Sequence, residues 1–251
     1  MIKLKLLTIY LISVFARITF SSRFVPKIGT RDEHDLNVTK FISIVNSKKS
    51  VIPITAVYRV KNGARYIEAS ILSIAPLCSE IVVVDNCSTD NTKFIVEKLS
   101  NRLKNITSIK YYEYNHKLAK AGKNYWSEIQ EYPERSLAKF YDFAFSKASN
   151  QYIMKVDAHL IYLPKSLYLI QRKLESGRRD FLKYRGQEIY GPIMGYEFYI
   201  YNRKLGVSFV DGKNFEIINF NRKISVLEKF FNTIYSPVFI HIKRLGYVES
   251  L

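Results

Sequence analysis

The sequence contains too few cysteines for a protein held together by disulfide bonds. Cys78 and Cys87 are the two cysteines among 251 residues, and two thiols do not make a disulfide framework. This usage fits a reducing compartment, because disulfides persist mainly in oxidising ones. We therefore predict a cytoplasmic protein that depends on a hydrophobic core, for which 47% hydrophobic residues are sufficient.

The N-terminal apolar run is too short to cross a membrane. Leu6–Ala16 spans eleven residues, whereas a membrane-spanning helix needs about 20. Because Lys3, Lys5 and Arg17 flank this run, it predicts a helix that lies on a membrane surface or packs on the domain. A signal peptide or anchor is the alternative. Residues 1–50 are thus predicted to form an apolar helix and a lead-in segment, with the protein peripheral on the membrane in the first case.

Acidic residues are scarce relative to basic ones. The chain has 22 Asp and Glu against 39 Lys and Arg, which gives a formal net charge of +17. Such a charge favours anionic partners, namely nucleic acid, an acidic membrane surface or a phosphorylated substrate. The basic residues are spread along the chain and form no nucleic-acid-binding motif. We therefore expect an anionic lipid surface or a sugar nucleotide, and no nucleic acid.

No internal repeat is present, and the chain instead alternates strand and helix patterns. The predicted strands of this alternation lie at 51–57, 81–84, 106–114 and 152–156, and the predicted helices at 64–75, 91–103, 134–148 and 164–174. The alternation predicts right-handed βαβ units, a mainly parallel sheet and the α/β class. Aromatic strand-like segments after residue 180 predict a smaller, antiparallel-looking lobe laid onto that sheet.

The strand Tyr152–Val156 leads directly into Asp157, Ala158 and His159. At the carboxyl end of a strand in an open α/β sheet, side chains face the ligand crevice. One carboxylate and one imidazole suit a divalent ion such as manganese. The alternative is that Asp157 caps the next element and His159 is a surface residue.

The segment from Val82 to Thr92 reads VVVDNCSTDNT. It resembles the aspartate-x-serine-x-aspartate-x-threonine element of family 2 glycosyltransferases with the GT-A fold. Arg59–Gly63 stands at the first strand–helix turn, and Asp157–His159 stands where these enzymes carry their aspartate-x-aspartate metal motif. The three elements occur in the family's order, and the resemblance covers residues 50–175 approximately.

The resemblance implies one GT-A domain over residues 51–251, with a mixed, mainly parallel sheet. Residues 51–160 would form the nucleotide-sugar-binding half, and residues 161–251 the acceptor-side half. The implied activity is metal-dependent transfer of a sugar from a nucleotide-sugar donor, expected to be UDP-linked. The expected acceptor is a glycan or lipid-linked molecule of surface polysaccharide or lipopolysaccharide synthesis, and the expected stereochemistry is inversion, although the fold hosts both outcomes.

The resemblance also assigns donor-binding residues. Asp85 is implied to bind the base, and Arg59 and Lys61 are expected at the rim of the crevice near the nucleotide. Arg59 and Lys61 have an alternative as a solvated charged turn. For Asp90 and Thr92 a structural role at the start of the following helix is preferred.

The metal motif departs from the commoner triplet because histidine occupies its third position. The variant resembles the aspartate-x-histidine of polypeptide N-acetylgalactosaminyltransferases, in which a later histidine completes the protein ligands. By this resemblance Asp157, His159 and His241 hold a divalent metal, Mn²⁺ or Mg²⁺, with Asp157 also serving donor binding. The alternative for His241, which lies in an apolar segment, is a core histidine.

The catalytic base is expected on the acceptor side, after the metal motif. Glu197, Asp211 and Glu216 are the candidates, with Asp211 and Glu216 ranked first, since an inverting transfer needs a carboxylate within reach of the acceptor hydroxyl. A turn aspartate is the alternative for Asp211. Two other functions stay open: a nucleotidyltransferase, which the single glycine of Arg59–Gly63 disfavours, and an inactive nucleotide-sugar-binding module.

Overall fold

The computed structural model describes residues 52–176 and 179–245. The apolar helix and lead-in predicted at residues 1–50 lie outside these ranges. Within the described residues, no helix combines the length and the hydrophobicity that crossing a membrane requires.

Ten strands and six α-helices make up the described part of the chain. The strands are β1 (Ile54–Val60), β2 (Glu80–Asp85), β3 (Ser108–Glu113), β4 (Tyr152–Val156), β5 (Leu160–Tyr162), β6 (Phe181–Glu188), β7 (Glu197–Asn202), β8 (Ser208–Asp211), β9 (Glu216–Asn219) and β10 (Thr233–His241). The helices are α1 (Ile67–Ile74), α2 (Thr92–Leu103), α3 (Tyr125–Glu131), α4 (Leu137–Ser146), α5 (Pro164–Glu175) and α6 (Val226–Phe231). Two short 3-10 helices lie at Pro133–Arg135 and Arg203–Leu205.

Eight strands form one mixed sheet in the order β3-β2-β1-β4-β7-β6-β10-β5, while β8 and β9 form a separate antiparallel pair. β3, β2, β1 and β4 pair in parallel, as the strand–helix alternation predicts. β7 then pairs antiparallel with β4. The predicted α/β class with a mixed, mainly parallel sheet is confirmed, but most of the later strands extend this sheet and only the β8–β9 pair stands apart from it.

The central strands are buried on both faces of the sheet. Every residue of β1 and β2 is buried, which explains their uninterrupted apolar runs. β1 begins directly after Pro53 and not at Val51, because proline lacks the N–H group that a strand ladder needs. Tyr58 joins a core with α1, α2 and α5, whereas Val57 joins a second core with α4 on the other face. Burial on both faces fixes the strand register, so the carboxyl ends of β1, β2 and β4 meet at one edge.

β10 brings the C-terminal part of the chain to the same edge. It pairs in parallel with β6 and antiparallel with β5, so that His241 lies opposite Leu160. A Cβ atom at Gly186 of β6 would overlap the ring of Phe239 in β10. Glycine therefore permits the close approach of the two strands that position His241.

Candidate functional site

The loops after β1 and β2 are joined by hydrogen bonds between side chains and backbone amides. We call these residues, Asn62–Ala64 and Ser88–Thr92, the loop network. Asn62 N–H donates to Ser88 Oγ (2.7 Å), and Thr89 N–H donates to Asn62 Oδ1 (2.8 Å). Asn62 has a φ of 53°, a left-handed conformation that asparagine tolerates better than most residues. The two loops therefore form one preorganised surface at the edge of the sheet.

Asp90 and Thr92 belong to this network, and both have structural partners. Asp90 Oδ2 accepts from Ala64 N–H (2.9 Å), and its Oδ1 accepts from Thr92 N–H (3.1 Å). Thr92 Oγ1 accepts from Gly63 N–H (2.8 Å). These hydrogen bonds lower the pKa of Asp90 against the opposing effect of burial. The preferred structural role of both residues agrees with these contacts.

Asp85, the implied base-binding residue, is buried at the end of β2. It is 2% exposed. Its Oδ1 accepts from Ser88 N–H (2.7 Å), and its Oδ2 accepts from the hydroxyl of Tyr111 (2.8 Å). Both oxygens therefore stabilise the loop and the neighbouring strand, and the contact between Asp85 and a nucleotide stays a prediction.

Arg59 is buried and does not lie at an exposed rim, which corrects the expectation from sequence. Its side chain is 3% exposed, and Nη2 lies 2.5 Å from Asp157 Oδ1. Its guanidinium carbon lies 4.0 Å from the ring centroid of Tyr141. Burial lowers the pKa of Arg59, but Tyr141 and Asp157 raise it more, so the group stays charged. Lys61, in contrast, is exposed, which fits both a rim residue and the alternative of a solvated charged turn.

Asp157 remains accessible although it pairs with Arg59. Of its side-chain surface 40% is exposed. Partial burial raises the pKa of Asp157, but the charges of Arg59, Lys155, His159 and His241 outweigh burial and lower it. The carboxylate is therefore ionised at neutral pH, and it contacts both the buried guanidinium and solvent.

His159 and His241 are neighbours, as the resemblance implies. Their ring centroids are 4.6 Å apart, with the rings nearly perpendicular. Ile242 N–H donates to the backbone oxygen of His159 (2.9 Å), which holds the two segments together beside β5. Burial lowers the pKa of His159 to about 4, although Asp157 opposes the shift. This imidazole is therefore neutral at pH 7 and has a lone pair available for a metal ion.

Glu188 supports His241 from the end of β6. Its Oε1 lies 2.8 Å from His241 Nδ1, and 13% of its side-chain surface is exposed. A carboxylate that accepts from one imidazole nitrogen leaves the other nitrogen as the acceptor that can bind a metal. We call Asp157, His159, Glu188 and His241 the histidine site. Sequence reasoning missed Glu188, because 53 residues separate it from His241.

The donor set of the histidine site suits a divalent ion, but it is not a finished metal site. Two imidazoles and a carboxylate are ligand types that manganese accepts. Among the described residues, however, no three His, Cys, Asp or Glu side chains are already arranged to hold a metal ion. The side chains are thus of the chemical types that bind a metal, and they lie close together. Asp157 Oδ1 is hydrogen-bonded to Arg59, while part of the carboxylate surface stays exposed.

The two first-ranked candidate bases differ in their surroundings. Both oxygens of Asp211 are engaged near the start of α4: Oδ2 accepts from Ser136 Oγ (2.6 Å), and Oδ1 accepts from the Tyr125 hydroxyl and from Ala138 N–H (3.1 Å). These contacts match the structural alternative for Asp211.

Glu216 lies across β8–β9 from Asp211, opposite it in the strand pair. It is half-buried. Its charge acts on Arg59 and on Tyr141, whose pKa is raised first by burial and further by Glu216. Glu216 therefore lies beside the Tyr141–Arg59–Asp157 chain of contacts, and Tyr141 is a second residue that sequence reasoning missed.

Comparison with known proteins finds a family match in the first part of the described chain. Residues 54–124 match the family model described as Glycosyl transferase family 2. This segment is similar to glycosyl transferase family 2. The match covers β1 to the loop before α3, including the loop network, and it confirms the resemblance that the motifs predicted. No curated protein sequence matches the chain significantly.

Solved structures with a similar fold match most of this chain. S. aureus TarS 1–349 has 16% sequence identity and a TM-score of 0.52, with 79% of this chain and 63% of that chain covered. The same fragment in complex with UDP-GlcNAc has 18% identity and a TM-score of 0.51, with 77% and 59% covered. The chain thus spans less than two thirds of the TarS fragments. At these identities the likeness shows the fold alone, and the predicted GT-A fold is confirmed.

A looser likeness, with a TM-score of 0.49 and 14% identity, is to the mannosyltransferase PcManGT from Pyrobaculum calidifontis in complex with GDP-Man and Mn²⁺. It covers 87% of this chain and 68% of that one. At that score the match adds nothing to what is known of this chain.

Proposed function

We propose that the protein is a metal-dependent glycosyltransferase that moves a sugar from a UDP-linked donor to a glycan or lipid-linked acceptor. The observation that carries the proposal is the pairing of His159 with His241 beside Asp157, at a sheet edge that also carries the loops of the segment matching family 2. The acceptor class, synthesis of surface polysaccharide or lipopolysaccharide, follows from the sequence resemblance. The free thiols of Cys78 and Cys87 fit a cytoplasmic, peripheral enzyme.

The histidine site would hold the metal through His159, His241 and Asp157, with Glu188 orienting His241. A bound divalent ion would act as a Lewis acid toward the departing diphosphate. The neutral state of His159 at pH 7 favours this role, because a protonated imidazole cannot bind a cation. Arg59 keeps Asp157 ionised and fixes its position from below.

The donor would lie over the loop network, between Lys61 and the histidine site. Exposed Lys61 can approach phosphate oxygens, and the loop network would give the nucleoside a rigid binding surface. Asp85 supports this surface through its hydrogen bonds with Ser88 and Tyr111. The UDP and UDP-GlcNAc complexes of TarS support a uridine nucleotide for a chain of this fold.

Glu216 is the base that we propose for an inverting transfer. Its half-buried carboxylate lies on the β8–β9 pair and acts electrostatically on Tyr141 and Arg59. It would accept the proton of the acceptor hydroxyl as that oxygen attacks the anomeric carbon and the diphosphate leaves. Asp211 has no such freedom, because three donors occupy its oxygens.

An inactive sugar-nucleotide-binding module is the second candidate. The ion pair between Arg59 and Asp157 favours it, because the guanidinium already neutralises the carboxylate that a metal would use. Metal-dependent release of UDP from UDP-sugars separates the two functions, since a binding module would not cleave its ligand.

A thermal-shift titration with UDP, with and without Mn²⁺, tests the donor site. A ligand at 100 times its dissociation constant stabilises the folded state by about 2.7 kcal/mol. The proposal predicts stabilisation by UDP that increases with Mn²⁺ and that Asp157→Asn weakens. The absence of stabilisation by any nucleoside diphosphate, with metal present, would refute the proposed site.

A further inference from the structure

Helix α6 is well formed although it contributes nothing to the described core. Ser225 Oγ accepts from Glu228 N–H (3.2 Å), and Ser225 N–H donates to Glu228 Oε2 (2.9 Å), which together form a capping box. At the other end, the hydroxyl of Tyr235 donates to the backbone oxygen of Phe230 (3.1 Å). None of the helix's six residues is buried. Its position is therefore fixed by its ends, while its side chains are left at the surface.

The exposed side chains of α6 form one apolar face. Val226 and Leu227 are each 69% exposed, Phe231 is 55% exposed and Phe230 is 42% exposed. These positions lie at i, i+1, i+4 and i+5, which share one side of a helix. Tyr235, 41% exposed, packs against Phe230 with ring centroids 5.8 Å apart. We call these five residues the α6 surface, and a contiguous apolar patch of this kind marks an interaction site.

The charges around the α6 surface are mainly positive. The positive charge of Arg222 is neutralised, since this side chain pairs with Asp180 (3.1 Å) and Glu228 (2.7 Å). Lys183 and Lys229 lie near enough to repel each other, and this repulsion adds to burial in lowering the pKa of Lys183. Lys223 and Lys229 are exposed. An anion brought to this surface would relieve the repulsion between the lysines.

Arg185 adds a further basic side chain beside the rings of Tyr196 and Tyr235. The guanidinium carbon of Arg185 lies 4.5 Å from the ring centroid of Tyr196, and its Nε donates to the backbone oxygen of Tyr235 (3.2 Å). Tyr196 and Tyr235 pack edge to face, with ring centroids 6.1 Å apart. Tyrosine rings beside basic side chains are typical of protein surfaces that sit at the polar headgroups of a bilayer.

We infer that the α6 surface docks the protein onto an anionic lipid bilayer, with Val226, Leu227, Phe230 and Phe231 inserted among the acyl chains. The lysines would contact the phosphate groups of the lipids, because apolar insertion and electrostatic attraction act together at such surfaces. A second copy of this chain is a poorer occupant, since a symmetric contact would bring Lys183 and Lys229 of both copies together. β10 begins directly after α6 and ends at His241, so docking would fix the histidine site relative to the membrane.

Co-sedimentation of the full chain with vesicles tests this inference. The wild-type protein should bind vesicles of phosphatidylcholine with phosphatidylglycerol, bind pure phosphatidylcholine much less, and be released by salt. The double variant Leu227→Ser with Phe231→Ser should lower the affinity by about tenfold or more, because two apolar insertions are removed. The matched control is Phe94→Ser on α2, where a phenylalanine is 67% exposed away from α6, and it should bind as the wild type does.

A second pair of variants tests the electrostatic part. Lys229→Gln should weaken binding to anionic vesicles and reduce its salt dependence, whereas Lys98→Gln, on the exposed side of α2, should change neither. The inference is overturned by wild-type binding of the α6 double variant, by equal affinity for neutral and anionic vesicles, or by no vesicle binding at all. A wild-type dimer that the double variant dissociates, without a change in vesicle binding, would assign the α6 surface to a second copy instead.

Discussion

The loop network and the histidine site stand at the same edge of the sheet, and both are rich in polar side chains. In the loop network, the amides of Asn62, Gly63 and Ala64 all find side-chain acceptors. Around the histidine site, by contrast, Arg59 Nε and Nη1 are buried without a hydrogen-bond partner among the described residues, and Glu188 Oε2 has an ion pair with Arg244 (3.5 Å) in place of a hydrogen bond.

The difference shows how the two regions use their polar groups. A buried polar atom without a partner costs about 1–3 kcal/mol, so a native structure keeps few of them. The loop network uses its hydrogen bonds to build a rigid support. The region around the histidine site keeps buried polar atoms without hydrogen-bond partners and an accessible carboxylate. This is the condition expected where a bound ligand supplies the missing partners. Substitutions in the two regions should therefore have separable effects on turnover and on stability.

Glu216→Gln should give the largest loss of activity. Removing a general base lowers turnover by about 100-fold to 10,000-fold, while the half-buried side chain should leave the melting temperature nearly unchanged. Asp211→Asn is the comparison variant, and it should mainly destabilise the protein because Ser136, Ala138 and Tyr125 lose a charged acceptor. Steady-state kinetics and thermal unfolding measure both effects. If Asp211→Asn lost turnover while Glu216→Gln lost only stability, the base would be assigned to Asp211.

Asp157→Asn should lower turnover by about 100-fold to 1,000-fold, because the variant loses the charge that stabilises the departing diphosphate through the metal. Asparagine keeps an oxygen that can accept from Arg59, so the fold should persist. Asp142→Asn is the control, since that carboxylate accepts from Phe209 N–H (2.9 Å) and has no place in the histidine site. Full activity of Asp157→Asn, measured as UDP release, would remove the residue from the mechanism.

His241→Ala should weaken Mn²⁺ binding by about 10-fold to 100-fold, because the metal site loses one of its protein side chains. Isothermal titration of Mn²⁺ in the presence of UDP measures this effect directly. His116→Ala provides the control, because His116 is exposed and its ring packs against Tyr114, away from the histidine site. If His241 is a core histidine instead, its removal will lower the unfolding temperature and leave Mn²⁺ affinity unchanged.

Glu188→Gln should weaken Mn²⁺ binding by about tenfold, since the amide orients His241 less well than the carboxylate does. Glu188→Ala should be worse than Glu188→Gln, because it removes the partner of Nδ1 altogether. Glu197→Gln is a matched control, as Glu197 is exposed and pairs with Lys155 (2.7 Å). Equal Mn²⁺ affinities for the wild type and both Glu188 variants would show that the carboxylate has only a structural role.

Thr92→Val should have the smallest effect on activity and a clear effect on stability. Valine has the shape of threonine but leaves the buried Gly63 N–H without an acceptor, which costs about 1–3 kcal/mol. Thr89→Val, at an exposed position of the same network, should cost less. Urea unfolding measures both, and a Thr92→Val variant as stable as the wild type would contradict the structural role of the loop network.

Local patterns were sufficient to predict the parallel half of the sheet. The apolar runs of β1, β2 and β4 and the helices between them form a repeated strand–helix pattern that depends on near neighbours. Pro53 and the buried strands follow local rules, and β4 begins and ends where the sequence indicates. The proximity of His159 and His241 was predicted only through the family resemblance.

Long-range contacts were not predictable from the sequence. Arg59 lies 98 residues from Asp157, and nothing near it in the chain shows that it is buried against Tyr141. Asp211 looks like a turn residue before Gly212, yet its oxygens bind groups 73 to 86 residues away. In both cases the tertiary fold, and not the local motif, decides whether a charged side chain is a ligand or a support.

The most direct test of the histidine site is an electron paramagnetic resonance titration of Mn²⁺ into the protein with UDP present. The signal of free Mn²⁺ decreases when the ion binds, so the method counts bound metal without relying on turnover. We expect one Mn²⁺ bound by the wild type and a lost or greatly weakened site in the His159→Ala, His241→Ala double variant. Equal binding of Mn²⁺ by the wild type and a folded double variant would contradict the assignment of the two histidines as metal ligands.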